Sequence, residues 1–175
     1  MVKKRKAVFF DRDGTLIKTY ISSKNIPIAI RKVEQLRLLQ NVRFVISKIS
    51  KKYLIIVITN QPDVSRGLNS KENVIKINNK IKSMLKIDKI YTCYSNNNNN
   101  YMRKPNPGMI IYAKKKFNLN LKKCFMVGDR LKDIECGKKA NCKTILIKKK
   151  YNTVKDIKPD FLINQFKDLL RIIKF

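Results

Sequence analysis

A three-layer, Rossmann-like α/β fold, with a mostly parallel central sheet and helices on both faces, is predicted by three observations. Short apolar runs of four to six residues recur along the chain, they are apolar on both faces, and patterns of helical period separate them. Runs without polar alternation mark strands covered from both sides, and strand–helix alternation implies parallel strands joined by right-handed crossovers. The strands are expected at 7–10, 54–58, 90–93, 124–127 and 144–147, with a last one around 161–163. The helices are expected at roughly 41–51, 70–86, 106–117 and 131–140, and from about 165 to 173. Ser70 has the chemistry of an N-cap, with Asn73 at the third helical position as a capping-box variant. Pro107 behind Asn106 fits a first-turn proline. Gly137 blurs the end of the fourth helix.

The 175 residues suffice for one ordinary domain and are too few for two. No linker or repeat divides the chain, so a single domain of residues 1–175 is expected, and a monomer. The one low-complexity tract, Asn96 to Asn100, reads as an exposed loop. No apolar run approaches the roughly 20 residues of a membrane span. The apolar stretch behind the basic N-terminus ends at Asp11, too soon for a signal-peptide core, and a cytoplasmic protein is expected.

The chain contains no histidine. That excludes Ser-His and Cys-His nucleophile systems, histidine general bases and most catalytic zinc sites. Its four cysteines, Cys93, Cys124, Cys136 and Cys142, form no CxxC or CxC pair and are expected as buried, reduced thiols. The net charge of +29 has two possible origins. One is a polyanionic partner such as nucleic acid. The other is composition: 32 Lys, 24 Ile and 18 Asn, the residues of A/T-rich codons, against only 9 Arg, the usual leader in specific phosphate contacts. The even spread of lysines favours composition. No stacking-aromatic cluster is visible along the chain, and tryptophan is absent.

Ligands of open parallel sheets bind outside the carboxyl ends of the strands, so the residues just beyond each strand carry the functional reading. They are Asp11-Arg12-Asp13-Gly14-Thr15, then Thr59-Asn60-Gln61, then Gly128-Asp129-Arg130 with Asp133. Arg103-Lys104-Pro105 follows the Asn-rich loop. Four of the nine aspartates of this acid-poor chain thus stand at two strand ends. Asp11 and Asp13 alternate in an extended segment and can face one pocket, and Gly14 frees the backbone to turn. Clustered carboxylates repel one another and favour a bound cation. With Asp129 arriving from another strand, the site is oxygen-rich and nitrogen-free, which suits Mg²⁺ and not zinc. Thr59 and Asn60 offer a hydroxyl and an amide to a phosphate oxygen, and Lys104 offers the fixed positive charge that a phosphoryl group among carboxylates requires. These parts describe phosphoryl transfer through an aspartyl-phosphate. A glycosidase pair would leave the lysine, the threonine and the third aspartate without a role.

On these residues the chain resembles the haloacid dehalogenase (HAD) superfamily of phosphatases, over essentially its whole length. Its DxDGT, Ser/Thr, Lys and GDxxxD motifs stand here in order, the last as Gly128-Asp129-Arg130-Leu131-Lys132-Asp133. Thr59-Asn60-Gln61 with Arg66-Gly67, and the stretch Arg103-Lys104-Pro105-Asn106-Pro107-Gly108-Met109, are similar to the subfamily of D-glycero-D-manno-heptose 1,7-bisphosphate 7-phosphatases and histidinol-phosphate phosphatases, which have no large cap domain. The resemblance implies Asp11 as nucleophile and Asp13 as general acid/base. It implies Mg²⁺ held by Asp11, Asp129 and the backbone carbonyl of Asp13, with Asp133 supporting the metal or Asp129. Thr59 and Lys104 would stabilise the transferred phosphoryl group, and Asn60, Arg103 and Arg130 would bind substrate, Arg103 at a second phosphate. Members of the subfamily commonly carry a zinc loop with Cys-x-His and Cys-x-Cys elements. Here Cys93 matches the first cysteine, no histidine exists, and Asn100 and Met102 occupy the Cys-x-Cys positions. No zinc is therefore expected, and the loop 94–101 should be mobile or differently packed.

The expected activity is Mg²⁺-dependent removal of the 7-phosphate of heptose bisphosphate, within the assembly of lipopolysaccharide precursors. Histidinol phosphate and the 3′-phosphate of a nucleic-acid end are alternative substrates. A basic binding protein on an inactive HAD fold is the non-catalytic alternative.

Overall fold

The computed structural model describes residues 4–23, 25–152 and 158–174. Six parallel strands form its central sheet: β1 (Ala7–Phe10), β4 (Leu54–Asn60), β5 (Lys89–Cys93), β6 (Phe125–Gly128), β7 (Lys143–Ile147) and β8 (Phe161–Ile163). Their order is β5-β4-β1-β6-β7-β8. The expected strands are all present, each within two residues of its predicted bounds. The second runs two residues further than periodicity implies, so Thr59 and Asn60 end the strand and pair with Thr92 and Cys93.

Alternation along β1 sends Val8 and Phe10 to one face and Ala7 and Phe9 to the other. On the first face they meet α1 (Val42–Ile49), α2 (Lys71–Met84) and the C-terminal Phe166, Leu169 and Ile173. On the second they meet α3 (Gly108–Phe117) and α4 (Leu131–Lys139). Every side chain of β1 is buried, as a central strand between two helical layers requires.

Three local expectations are revised. The last helix divides into a 3₁₀ turn (Phe166–Asp168) and one α-helical turn, α5 (Leu169–Ile172). Pro107 is not the first helical residue; it caps α3, which starts at Gly108. A small antiparallel hairpin, β2 (Tyr20–Ile21) with β3 (Pro27–Ile28), was not expected. Ser70 does cap α2, its hydroxyl accepting from the Asn73 amide at 3.1 Å, but the Asn73 side chain turns to Asn69 and Arg31 instead of closing a capping box. All four cysteines are buried and unpaired, as expected.

The sheet order places the functional segments. The next strand of the sheet after β1 in sequence, β4, lies on one side of it, while β6 lies on its other side, so the topology switches direction beside β1. The carboxyl ends of β1, β4 and β6 open onto that switch point, where parallel sheets leave a crevice.

Candidate active site

Asp11 and Asp13 leave the end of β1, Thr59 and Asn60 close β4, and Asp129 follows β6. Asp133 comes from the first turn of α4. The oxygens of Asp11, Asp129 and Asp133 lie within 4.8 Å of one another, all buried. Two glycines permit this convergence. Gly14 has φ +89°, and a Cβ there would stand 2.4 Å from Asp129 Oδ2; a Cβ on Gly128 would stand 2.3 Å from Asp133. Bare hydrogens at these positions let the turn after β1 and the start of α4 close on the same point.

Lys104 enters this acid cluster from the segment before α3 and is only 3% exposed. Its Nζ donates to Asp11 Oδ1 at 2.5 Å and to the Ile58 carbonyl at 2.9 Å, and lies 2.7 Å from Asp133 Oδ1. Three acceptors thus meet the three donors of an ammonium. The main chain of Lys104 is clamped as well: Asn60 donates to its carbonyl at 2.9 Å and accepts from its amide at 3.1 Å. Asn60 lines the cleft, but its amide positions the lysine. The other oxygen of Asp133 accepts from the Arg130 amide at 3.0 Å, so one carboxylate caps α4 and pairs with Lys104.

Each remaining acid has its own supports. Asp129 Oδ1 accepts from Thr15 at 2.9 Å and Oδ2 from the Tyr151 hydroxyl at 2.6 Å, while Asn152 donates to its carbonyl at 2.8 Å. Asp13 is gripped by Arg12, with Nε at 2.8 Å, and by Gln61 at 2.8 Å. Gln61 also donates to the Thr59 hydroxyl at 2.8 Å. Arg12 is fully buried, and its remaining nitrogen donates to Asn78 at 2.8 Å. Arg12, Gln61, Asn78, Tyr151 and Asn152 are functional neighbours for which periodicity supplies no signal, since each acts through a contact distant in sequence or through a burial unusual for its type.

Burial, together with the charges of Asp133, Asp129 and Asp13, pushes the Asp11 carboxyl up to about 7 against the opposing pull of Lys104. Burial and Asp133 likewise raise Asp129, against hydrogen bonds from Tyr151 and Thr15. Burial disfavours the Lys104 ammonium, yet Asp11 and Asp133 hold it above the usual lysine range. Three mutually repelling, buried, all-oxygen ligands, with proton affinity raised at Asp11 and Asp129, fit a hard divalent cation such as Mg²⁺.

A thermal consequence follows from linkage. In the metal-free protein the folded Asp11 keeps a proton that the unfolded chain releases from its ordinary 3.8. Its contribution to stability is therefore present below that value and lost as the pH rises towards 7. An Mg²⁺ ion held by Asp11 would compete with this proton. Saturating Mg²⁺ should raise Tm by roughly 5–10 °C at pH 8 and by clearly less at pH 5.5. Equal shifts in a thermal melt at the two values would show that Asp11 does not bind the ion.

Asp11, Asp13, Asp133 and Lys104 form the floor of a cleft of about 420 Å³. Its walls carry Arg31, Arg66, Arg103, Arg130 and Lys132, and the β2–β3 hairpin contributes Ile26 to Ile28 as an apolar flank. Arg130 reaches the hairpin at the Pro27 carbonyl, 3.0 Å away, and the Arg31–Asp63 ion pair spans 2.9 Å. Arg103 is held by the Ser95 carbonyl at 2.8 Å and Asn98 at 3.3 Å. The loop 94–101 is laced by asparagines: Asn100 accepts from the Met102 amide at 2.9 Å, and Asn106 donates to the carbonyls of Asn98 and Asn100. The Cys93 thiol is 4.0 Å from the Asn100 side-chain oxygen. Side-chain amides and backbone carbonyls are thus the ties of this loop.

A doubly covered parallel sheet with aspartates at its switch point and a lysine buried among them defines a hydrolase of the HAD phosphatase type. A family model described as HAD-hydrolase-like matches residues 101–169. The D-glycero-alpha-D-manno-heptose-1,7-bisphosphate 7-phosphatase of Campylobacter jejuni is 30% identical over 98% of this chain and 96% of its own. The beta-anomer 7-phosphatase of Pasteurella multocida is 29% identical over 97% of each. Among solved structures, the D,D-heptose 1,7-bisphosphate phosphatase of B. bronchiseptica, complexed with magnesium and phosphate, superposes with TM-score 0.78 at 19% identity, over 96% of this chain and 99% of that one. The chain belongs to the HAD-like hydrolase family, as a phosphatase without a large cap domain.

Proposed function

We propose that the chain acts as one domain, an Mg²⁺-dependent phosphomonoesterase that removes the 7-phosphate of D-glycero-D-manno-heptose 1,7-bisphosphate. The observation that carries the mechanism is the contact of Lys104 with Asp11 beside the three-aspartate cluster. Asp11 attacks phosphorus; its Oδ–P bond forms as the bond to the sugar oxygen breaks. Asp13, held by Arg12 and Gln61, donates a proton to that leaving oxygen. Asp13 then takes a proton from the water that attacks phosphorus, and the Asp11–phosphorus bond breaks to release phosphate. Lys104 and Thr59 offset the charge on the transferred group's oxygens. Asp11, Asp129 and the Asp13 carbonyl would hold Mg²⁺, with Asp133 in support, and the ion would neutralise the charge that the carboxylates and phosphoryl oxygens bring together.

The substrate reading rests on the relatives named above and on the basic walls of the cleft. The arginines on its walls exceed what one phosphate held by Lys104 and Thr59 needs, which fits a second phosphate on the same small molecule, with Arg103 at its side. Purified protein with Mg²⁺, assayed side by side on heptose bisphosphate, histidinol phosphate and a 3′-phosphorylated oligonucleotide, should show at least about tenfold higher kcat/KM for the heptose. Faster turnover of either other substrate would replace it.

A further inference from the structure

A second cleft, of about 540 Å³, lies along the outer edge of β5 between α2 and α3 and shares no lining residue with the acid-floored one. β5 is the terminal strand of the sheet, so among the described residues no strand covers this side. Tyrosines distant in sequence converge here. Tyr91 and Tyr112 meet edge to face with centroids 5.5 Å apart, and Tyr94 also lines the cleft. Tyr112 is 53% exposed, which leaves ring surface free for stacking. Lys82, Lys89 and Lys116 stand around the rings. The absence of an aromatic cluster along the sequence is thus corrected by the fold.

One further feature points to a ligand. Tyr91 is 9% exposed, and its buried hydroxyl has no hydrogen-bond partner among the described residues. Such a group is costly in a protein interior unless a partner arrives. Asn78, at the cleft's inner wall, donates to Thr92 at 3.1 Å and accepts from Arg12, the residue that grips Asp13.

We propose that this cleft binds a nucleotide, its base stacked on Tyr112 and hydrogen-bonded by the Tyr91 hydroxyl, its phosphate among Lys82, Lys89 and Lys116. The combination of exposed ring, buried polar donor and surrounding ammonium groups matches a base joined to a phosphate. A second copy of this chain is disfavoured because it would bring the same lysines together. An acidic peptide would satisfy the lysines but leave the ring face and the inner hydroxyl without a specific role.

The test uses phosphodiester probes, which a phosphomonoesterase leaves intact. Cyclic AMP and a short oligothymidylate without terminal phosphate are titrated calorimetrically into the full chain, with tripolyphosphate and hexaglutamate as probes lacking a base. Base-containing probes should bind more tightly than either, and the tighter of the two distinguishes a free nucleotide from a single strand as the source. Tyr112→Ala should weaken binding at least about fivefold, and Lys82→Glu with Lys116→Glu at least about tenfold with a shallower salt dependence. Tyr91→Phe should weaken binding at least about threefold while leaving Tm unchanged or raised, since it removes an unpartnered group. Equal or tighter binding of tripolyphosphate or hexaglutamate, absence of binding by both base-containing probes, or unchanged binding in Tyr112→Ala and Tyr91→Phe would each overturn the proposal. None of these outcomes depends on the reaction proposed for the first cleft.

Discussion

Asp11→Asn is expected to lower kcat on the best substrate by at least about 10³-fold while leaving the fold intact. The substitution keeps the size of the side chain and an oxygen to accept from Lys104, so the contact at 2.5 Å has a replacement. It removes the negative charge that burial and three neighbouring aspartates already disfavour. The metal-free variant should therefore melt at or above the temperature of the parent protein at pH 8, where the parent's Asp11 is ionised. Loss of activity with undiminished stability separates a chemical role from a structural one. Normal turnover by Asp11→Asn would remove the proposed nucleophile and the mechanism with it.

Lys104→Met is expected to have the second largest effect, and on two properties at once. Removing a donor that stabilises developing charge typically costs about 10²–10³ in kcat. Removing one partner of a buried ion pair typically costs about 3–5 kcal/mol, and methionine fills a comparable volume, so little of the loss comes from a cavity. The destabilisation should grow with pH. Without the ammonium, nothing at 2.5–2.7 Å offsets Asp11 and Asp133, and Asp11, whose proton affinity is raised, withdraws its stabilisation as the pH rises through its folded value. Lys104 itself, held above the ordinary lysine range, stays charged throughout pH 5–8 and adds no slope of its own. Denaturant midpoints of the variant and parent at pH 5.5 and 8 check this. A pH-independent difference would mean that the lysine does not balance these acids.

The sheet was legible in the sequence because its central strands, β4, β1 and β6, are buried on both faces. Runs such as that of β1, buried at all four positions, have no polar alternation to confuse them with surface strands. The acids were legible for a related reason: few aspartates exist in the chain, and four follow strands, where the fold class itself places ligands. Asp133 lies one helical turn beyond Asp129, and its arrival in the cluster depends on Gly128 allowing α4 to close in. The β2–β3 hairpin escaped notice because two exposed or half-exposed residues per strand carry no periodicity. Arg12 escaped because arginine is seldom buried without a paired charge, and its partners Asp13 and Asn78 are fixed only once α2 packs beneath the site. Tyr151 and Asn152 belong to the segment after β7 and meet Asp129 across a gap of more than twenty residues. Local pattern has no access to such contacts.

The proposed covalent step is open to direct measurement. The Asp13→Asn variant, slowed in both halves of the reaction because it lacks the acid and then the base, is mixed with substrate and Mg²⁺, quenched in acid within one turnover and digested with trypsin. Cleavage after Lys6, Arg12 and Lys18 separates Asp11 from Asp13 into different peptides. One phosphoryl group is expected on the peptide of residues 7–12, labile to base as an acyl phosphate is. A phosphoryl group on residues 13–18, or none on any peptide while substrate is consumed, would contradict the account.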